Sequence, residues 1–153
     1  MIVYKIVYYR WANQCPNKPP HDPNRRSLKF PMEPGQNKAD SWTSRQKPDW
    51  QLSKKIQAWY DEVSDFPEAN VASFSSKGAT GTIGHYTQLV WGETEFIGCG
   101  AIYYKDNNYP RYPYRKTLVC NYHPPGNYLN HPVYQAGQTA VDCTNGSENG
   151  LCL

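Results

Sequence analysis

Histidine is the side chain whose chemistry is easiest to connect to a site in this sequence, and it occurs only four times. His85 lies in the segment IGHYTQLVWGETEFIGCG, which also places Gln88, Trp91 and Cys99 between glycines. An imidazole exchanges protons near neutral pH or donates a lone pair to a divalent metal. It also serves as a hydrogen-bonded framework residue, so the partners of His85 decide its role.

Nucleophilic catalysis has little support. Three serines precede this histidine: Ser73, Ser75 and Ser76. The sequence has no G-x-S-x-G elbow and no identifiable acid to orient the histidine. The serines are therefore interpreted as part of a solvated loop, and two further histidines beside prolines, His123 and His131, as locally hydrogen-bonded.

The cysteine pattern favours disulfides over a metal site. There are five cysteines and no CxxC pair: Cys15, Cys99, Cys120, Cys143 and Cys152. Disulfides indicate an oxidising compartment, and an odd count leaves one thiol unpaired or linked to another chain. Cys99 and Cys120 are expected to pair, and Cys143 and Cys152 to close a small ring. The tripeptide NGS at Asn145 is a glycosylation sequon that adds slight support for secretion.

Composition predicts one folded domain. The chain has 153 residues, a net charge of +3, and 13 Tyr and 5 Trp that supply large burial areas. Its basic residues are scattered, which argues against a nucleic-acid partner. No apolar stretch is long enough to cross a bilayer, and MIVYKIVYY is too short and too interrupted for a signal-peptide core.

The sequence predicts several of the secondary-structure elements that position these residues. The segment from Cys15 to Asp49 is rich in Pro and Asn and is interpreted as a long irregular loop. WQLSKKIQAWYDEVSDF predicts a helix that begins after Asp49 and ends before Pro67, with Glu62 at the edge of its apolar stripe. That stripe consists of Leu52, Ile56, Trp59, Val63 and Phe66. EFIGCGAIYY and KTLVCNY predict two antiparallel strands around a turn-rich connection, which would bring Cys99 near Cys120.

Two long motifs carry a family resemblance. GHYTQLVW followed by GCG, and then LVCNYHPPGNY, look like the two signature stretches of the CAP superfamily of cysteine-rich secretory, antigen 5 and pathogenesis-related proteins. WANQC, HDPNRR, GQN and AWYDEV also resemble segments of insect venom-allergen, antigen 5-like members. The resemblance covers about Trp11 to Asp142. It implies an α+β fold, a three-layer α-β-α sandwich with a small antiparallel sheet and long loops, together with secretion and a cleft on one face.

The same resemblance implies a set of cleft residues. The family's cleft gathers two histidines and two acidic residues, and these positions correspond to His21, Gln36, Glu62 and His85 here. His85 and Glu62 match their motifs well, whereas the interval between Cys15 and His21 is longer than usual. Gln36 stands where many relatives have glutamate, and an amide neither acts as a base nor carries charge.

Three interpretations of the cleft stay open. His85, Glu62 and Gln36 form a polar network that anchors helix and loops. Alternatively, His21 and His85 hold a divalent metal such as zinc, with water completing the shell. The third is hydrolysis with these histidines and Glu62 as weak catalytic candidates. The tyrosines of YYKDNNYPRYPY are interpreted mainly as packing and rim, with a ligand-facing or membrane-facing surface as the alternative.

The N-terminus departs from the family. Residues 1–10 form an atypical segment, 11–142 the CAP domain and 143–153 a short cysteine-containing tail. The resemblance implies that a first helix is missing, that the chain is truncated and that Cys15, lacking its partner, is the odd thiol. The channel-blocking members carry a cysteine-dense C-terminal domain, and two cysteines in the tail argue against that activity.

The sequence thus predicts an extracellular antigen 5-like domain that binds a ligand or partner and does not catalyse a reaction. Its expected partner is a small lipid, sterol or amine, or an extracellular protein, with no required cofactor. The competing hypothesis is a zinc-dependent hydrolase that uses His21, His85 and Glu62.

Overall fold

The computed structural model describes residues 32–46, 51–137, 146–148 and 151–152. Several sequence predictions therefore lie outside the described residues, namely those for residues 1–10, Cys15, His21, Asp49, Asn145 and the Cys143–Cys152 ring. In the described part of the chain, no helix is both long and apolar enough to cross a bilayer.

The centre of the structure is a three-stranded antiparallel sheet. It consists of β1 (Gly35–Thr43), β2 (Phe96–Lys105) and β3 (Tyr114–His123), with β3 in the middle. The two strands predicted from β-branched and aromatic runs are confirmed as β2 and β3. Cys99 and Cys120 face each other in this pairing and are joined by a disulfide, with their Cα atoms 4.1 Å apart. Further along the chain, β4 (Ser147–Glu148) and β5 (Leu151–Cys152) pair antiparallel.

Strand β1 corrects the sequence prediction. Its sequence, GQNKADSWT, lies within the segment interpreted as an irregular loop, and that interpretation is wrong for these nine residues. The strand pairs with β3 along its whole length, from Gly35 opposite Tyr122 to Thr43 opposite Tyr114. Tertiary pairing rather than an intrinsic preference of these polar residues makes the strand, since strand propensity depends strongly on context.

The predicted helix exists but changes form before its expected end. The α-helix α1 spans Leu52–Asp61, and a 3-10 helix continues it over Glu62–Asp65. Phe66 is extended, as expected for a residue before proline. A second 3-10 turn covers Glu68–Asn70, and helix α2 spans Gly84–Leu89.

The apolar stripe of α1 is only partly a core face. Trp59 and Phe66 are buried, whereas Ile56 and Val63 are 39% and 38% exposed. The two buried residues belong to different clusters. Trp59 packs on the sheet face formed by Leu118, Cys120 and Tyr122.

The second cluster holds the loops and α2 together. Its buried members are Phe66, Val71, Phe74, Ile83, Tyr86, Trp91 and Val133. The Trp91 indole meets the Phe74 ring edge-on, with centroids 6.0 Å apart. Gly126 passes so close that an added Cβ would lie 2.7 Å from Trp91 Cγ. Glycine is therefore needed at this close approach.

Two tyrosines of these clusters predict a loss of stability at alkaline pH. Burial, with a hydrogen bond to Tyr134, raises the pKa of Tyr86 from 10.0 to about 12. Burial also raises the pKa of Tyr122, opposed by the hydrogen bond from Asn37. Because the fold requires the neutral phenols, their contribution is complete below the unfolded pKa of 10.0 and is lost as pH rises towards the folded values. We expect the unfolding free energy to fall across this range, and less steeply in Tyr86→Phe, when denaturation is followed at several pH values. An identical slope in this variant would contradict the assignment.

Candidate functional site

Glu62 lies where α1 passes into its 3-10 continuation, and its carboxylate reaches the start of α2. Oε2 accepts hydrogen bonds from the backbone N–H groups of His85 at 3.0 Å and Tyr86 at 3.1 Å. The first N–H groups of a helix have no partner within the helix, and negative charge is favourable there. Glu62 therefore caps α2 from another element.

The other oxygen of the same carboxylate holds the side chain of His85. Nδ1 of His85 lies 2.6 Å from Oε1 of Glu62. This contact favours a proton on Nδ1, which donates to the carboxylate. In the neutral imidazole, the lone pair is then at Nε2, available to a hydrogen-bond donor or a metal.

A stacking contact on one face of the His85 imidazole also holds the ring in place. Its ring stacks on the buried indole of Trp59, with centroids 5.8 Å apart and an interplanar angle of 13°. The side chain of Glu62 is 15% exposed and that of His85 is 32% exposed. The ring is therefore held in one orientation while part of it stays accessible to solvent.

Asn37 ties this site to the sheet. Its Nδ2 donates to the backbone carbonyl of His85 at 2.9 Å and to the Tyr122 hydroxyl at 3.1 Å. The residue is 2% exposed. Sequence reasoning did not select Asn37, although it lies in the GQN motif, and the polar composition around it concealed the strand that places it.

The side chain of Gln36 lies on the face of the sheet opposite to that of Asn37. Alternation along β1 directs neighbouring side chains to opposite faces of the sheet. The amide of Gln36 donates to Oδ1 of Asn121 on β3 at 2.8 Å. Of the four residues predicted for the cleft, Glu62 and His85 are brought into direct contact, Gln36 is paired with Asn121, and His21 lies outside the described residues.

The C-terminal part of α2 is bonded to the second sequence motif. Thr87 donates its hydroxyl to Oδ1 of Asn127 at 2.7 Å, and Asn127 donates to the carbonyl of Gly84 at 2.9 Å. The backbone N–H of Gly126 donates to Oε1 of Gln88 at 2.9 Å. The two motifs, GHYTQLVW and NYHPPGNY, thus form one hydrogen-bonded unit around the segment that carries His85.

The capacity of this site for a metal depends on residues beyond those described. Among the described residues, no three His, Cys, Asp or Glu side chains gather in a metal-binding group. Nε2 of His85 is a suitable nitrogen ligand, but both oxygens of Glu62 already accept hydrogen bonds. The described residues alone therefore do not fit a zinc site, which requires three protein ligands or more.

Comparisons with known proteins agree with the two motifs. The family model described as CAP, the cysteine-rich secretory protein family, matches residues 7–122. A venom allergen 3 homolog of Dinoponera quadriceps is 42% identical over 133 residues, which cover 87% of this chain and 54% of that protein. Venom allergen 5 of Dolichovespula arenaria is 41% identical over 128 residues, covering 82% and 56%. Scoloptoxin SSD346 of Scolopendra dehaani is 45% identical over 104 residues, covering 66% and 46%. The chain spans about half the length of these relatives.

Solved structures give the same assignment. The crystal structure of Na-ASP-1 superposes with a TM-score of 0.71 at 25% identity and covers 97% of this chain and 36% of that one. The structure of NaASP2 with Zn2+ superposes with a TM-score of 0.65 at 25% identity, covering 96% and 70%. The predicted α+β CAP fold is confirmed, and the chain belongs to the CAP, or cysteine-rich secretory protein, family, with venom allergen 5 among its relatives.

Proposed function

We propose that this chain is a secreted antigen 5-like CAP domain that binds a ligand through the cleft at His85 and does not catalyse hydrolysis. The observation that carries the proposal is the triple hydrogen bonding of the Glu62 carboxylate, to two backbone amides and to Nδ1 of His85. A general base needs a free acceptor directed at the substrate. Glu62 instead anchors α2 and orients His85.

The exposed edge of His85 suggests what the ligand carries. A neutral imidazole with its proton on Nδ1 accepts a hydrogen bond at Nε2, and the stack on the buried Trp59 indole holds the ring in one orientation. A hydroxyl or ammonium group donates such a bond. Lipids with free hydroxyls, sterols and amines belong to this class, and an extracellular protein could present the same groups.

Secretion and domain bounds are part of the proposal. The family description is that of secretory proteins, and the Cys99–Cys120 disulfide is typical of oxidising compartments. We assign the CAP domain to residues 11–142 and a tail to 143–153. Pairing of Cys143 with Cys152 and glycosylation of Asn145 stay predictions.

The binding proposal predicts a response at the His85 ring. We expect its Hε1 resonance to shift on titration with at least one of tryptamine, monoolein and cholesterol delivered from cyclodextrin. His85→Phe keeps an aromatic ring on Trp59 but removes Nε2, so affinity should fall about tenfold, the equivalent of one hydrogen bond of about 1.4 kcal/mol. His131→Phe, at an exposed histidine away from α2, is the matched control. Failure of all three probes to shift the resonance would overturn small-ligand binding.

A second candidate, a zinc-dependent hydrolase, is favoured by one feature. A carboxylate that holds Nδ1 of a histidine is a common arrangement behind a metal-ligating Nε2, and NaASP2 was solved with Zn2+. His21 would have to supply a further ligand. Calorimetric zinc titration of the wild type and of His85→Ala tests whether zinc binds. An absence of binding heat in both proteins would exclude the zinc site. Peptide and ester substrates test the catalytic part: turnover by the wild type would contradict the binding proposal, and equal rates in Glu62→Gln would exclude Glu62 as the base.

A further inference from the structure

A cavity of about 500 Å³ lies at the other end of the sheet, between β1 and the connection from β2 to β3. We call it the aromatic pocket, and it is lined by Trp42, Asn108, Tyr109, Pro110, Arg111, Tyr112 and Arg115. Trp42, Tyr109 and Tyr112 are 49%, 40% and 46% exposed. Large rings left this accessible around one concavity are typical of a binding surface rather than of packing.

Arg115 forms the floor of the aromatic pocket. It lies opposite Trp42 in the pairing of β3 with β1, and its guanidinium carbon is 5.2 Å from the Trp42 ring and 4.0 Å from the Tyr109 ring. Its side chain is only 8% exposed. The buried cation is thus held between two aromatic faces, an arrangement that both rings stabilise.

The hydrogen-bonding capacity of Arg115 is not used up. Oδ2 of Asp106 lies 3.6 Å from Nη2, which is close enough for an ion pair but beyond hydrogen-bonding distance. Its Nε is buried and has no hydrogen-bond partner among the described residues. A buried donor without a partner is costly, and the part of the guanidinium that lines the aromatic pocket is the part an acceptor can contact.

The charge of the lining identifies the kind of acceptor. Two guanidiniums line the aromatic pocket, those of Arg111 and Arg115; the lining contains no carboxylate, and the buried Asp106 that pairs with Arg115 lies outside it. Arg111 lies over the Tyr112 ring at 5.4 Å. Planar guanidiniums bind carboxylates and related anions through paired hydrogen bonds, and the neighbouring ring faces accept a flat apolar group.

We propose that the aromatic pocket binds a small aromatic anion, a planar ring that carries a carboxylate or sulfonate. The ring packs against Trp42, Tyr109 and Tyr112, and the acid pairs with the two guanidiniums. Trp42 is five residues along β1 from Asn37, which is about 17 Å of extended strand, and strand alternation places it on the opposite face. The aromatic pocket is therefore separate from the His85 cleft, and its function does not depend on the one proposed there.

Naphthoate and its uncharged counterpart naphthamide are matched probes for this proposal. We expect naphthoate to bind saturably, to shift the indole resonance of Trp42 and to bind about tenfold more tightly than naphthamide, as one charge-assisted hydrogen bond predicts. Trp42→Ala and Arg111→Gln each change an exposed side chain and should weaken naphthoate at least severalfold, whereas Arg111→Gln should leave naphthamide unchanged. Calorimetry and heteronuclear NMR give both readouts.

Two variants distinguish this site from generic apolar binding and from the cleft. Leu129→Ala removes a 67% exposed apolar side chain elsewhere, and His85→Phe alters the cleft. Neither should change the affinity for naphthoate. Equal affinities for the two probes, no saturable naphthoate binding, or equal weakening by Leu129→Ala would each overturn the proposal. Binding of a proline-rich peptide at Trp42 with no response to naphthoate would overturn it in favour of a protein partner.

Discussion

The Glu62→Ala variant is expected to lose about 3–5 kcal/mol of unfolding free energy, because three donors lose their carboxylate acceptor at once. Two of these donors are backbone amides at the start of α2. The donors are the amides of His85 and Tyr86 and the Nδ1–H of His85. Glu62 is mostly shielded from water, with 15% of its side chain exposed, so solvent replaces these bonds poorly. Urea denaturation of both proteins measures the difference.

Two further variants separate hydrogen bonding from charge. Glu62→Gln keeps one oxygen for the amides but places an NH2 group against Nδ1, which should move the imidazole proton to Nε2 and cost about 1–2 kcal/mol. The ring nitrogen shifts of His85 report the tautomer. Glu68→Ala, at an exposed glutamate in the next 3-10 turn, should change stability by less than about 0.5 kcal/mol. Equal unfolding midpoints for Glu62→Ala and Glu68→Ala would contradict the role assigned to Glu62.

Parts of the fold with strong local signals could be predicted from the sequence. β2 and β3 are rich in β-branched and aromatic residues, and a turn-rich segment separates them. Both the strands and their pairing could therefore be predicted. The helix around Trp59 could be predicted from the spacing of its apolar residues. The selection of Glu62 and His85 together came from the family resemblance, because 23 residues separate them and no local pattern connects them.

The features that escaped prediction depend on tertiary contacts. β1 is a strand because β3 lies beside it, and its polar sequence carries no strand signal of its own. The register of that pairing then decides that Asn37, and not Gln36, donates to the carbonyl of His85. The aromatic pocket has the same origin, since Trp42 and Tyr109 meet around Arg115 only after the strands have paired.

Trp59 and Ile56 provide the sharpest test of how α1 contacts the sheet. The two residues lie one turn apart in the same predicted apolar stripe, yet Trp59 is 4% exposed and Ile56 is 39% exposed. We expect Trp59→Ala to lose about 3–5 kcal/mol of unfolding free energy, as is usual for a buried tryptophan, and Ile56→Ala to lose about 1 kcal/mol or less. Denaturant unfolding of the two variants measures both values.

Trp59→Ala should also release His85, because the indole that stacks on its ring is gone. A lower order parameter of the His85 Cε1–Hε1 bond in 13C relaxation reports this release, because the Hε1 shift changes in any case when the indole ring current is lost. Trp59→Phe should largely restore the order parameter while recovering much of the stability, since a smaller ring still packs on the sheet. If Ile56→Ala were as destabilising as Trp59→Ala, the whole stripe would face the core, and the orientation of α1 that presents Glu62 to α2 would be wrong. If Trp59→Ala left that order parameter unchanged, the Glu62 carboxylate alone would fix the ring.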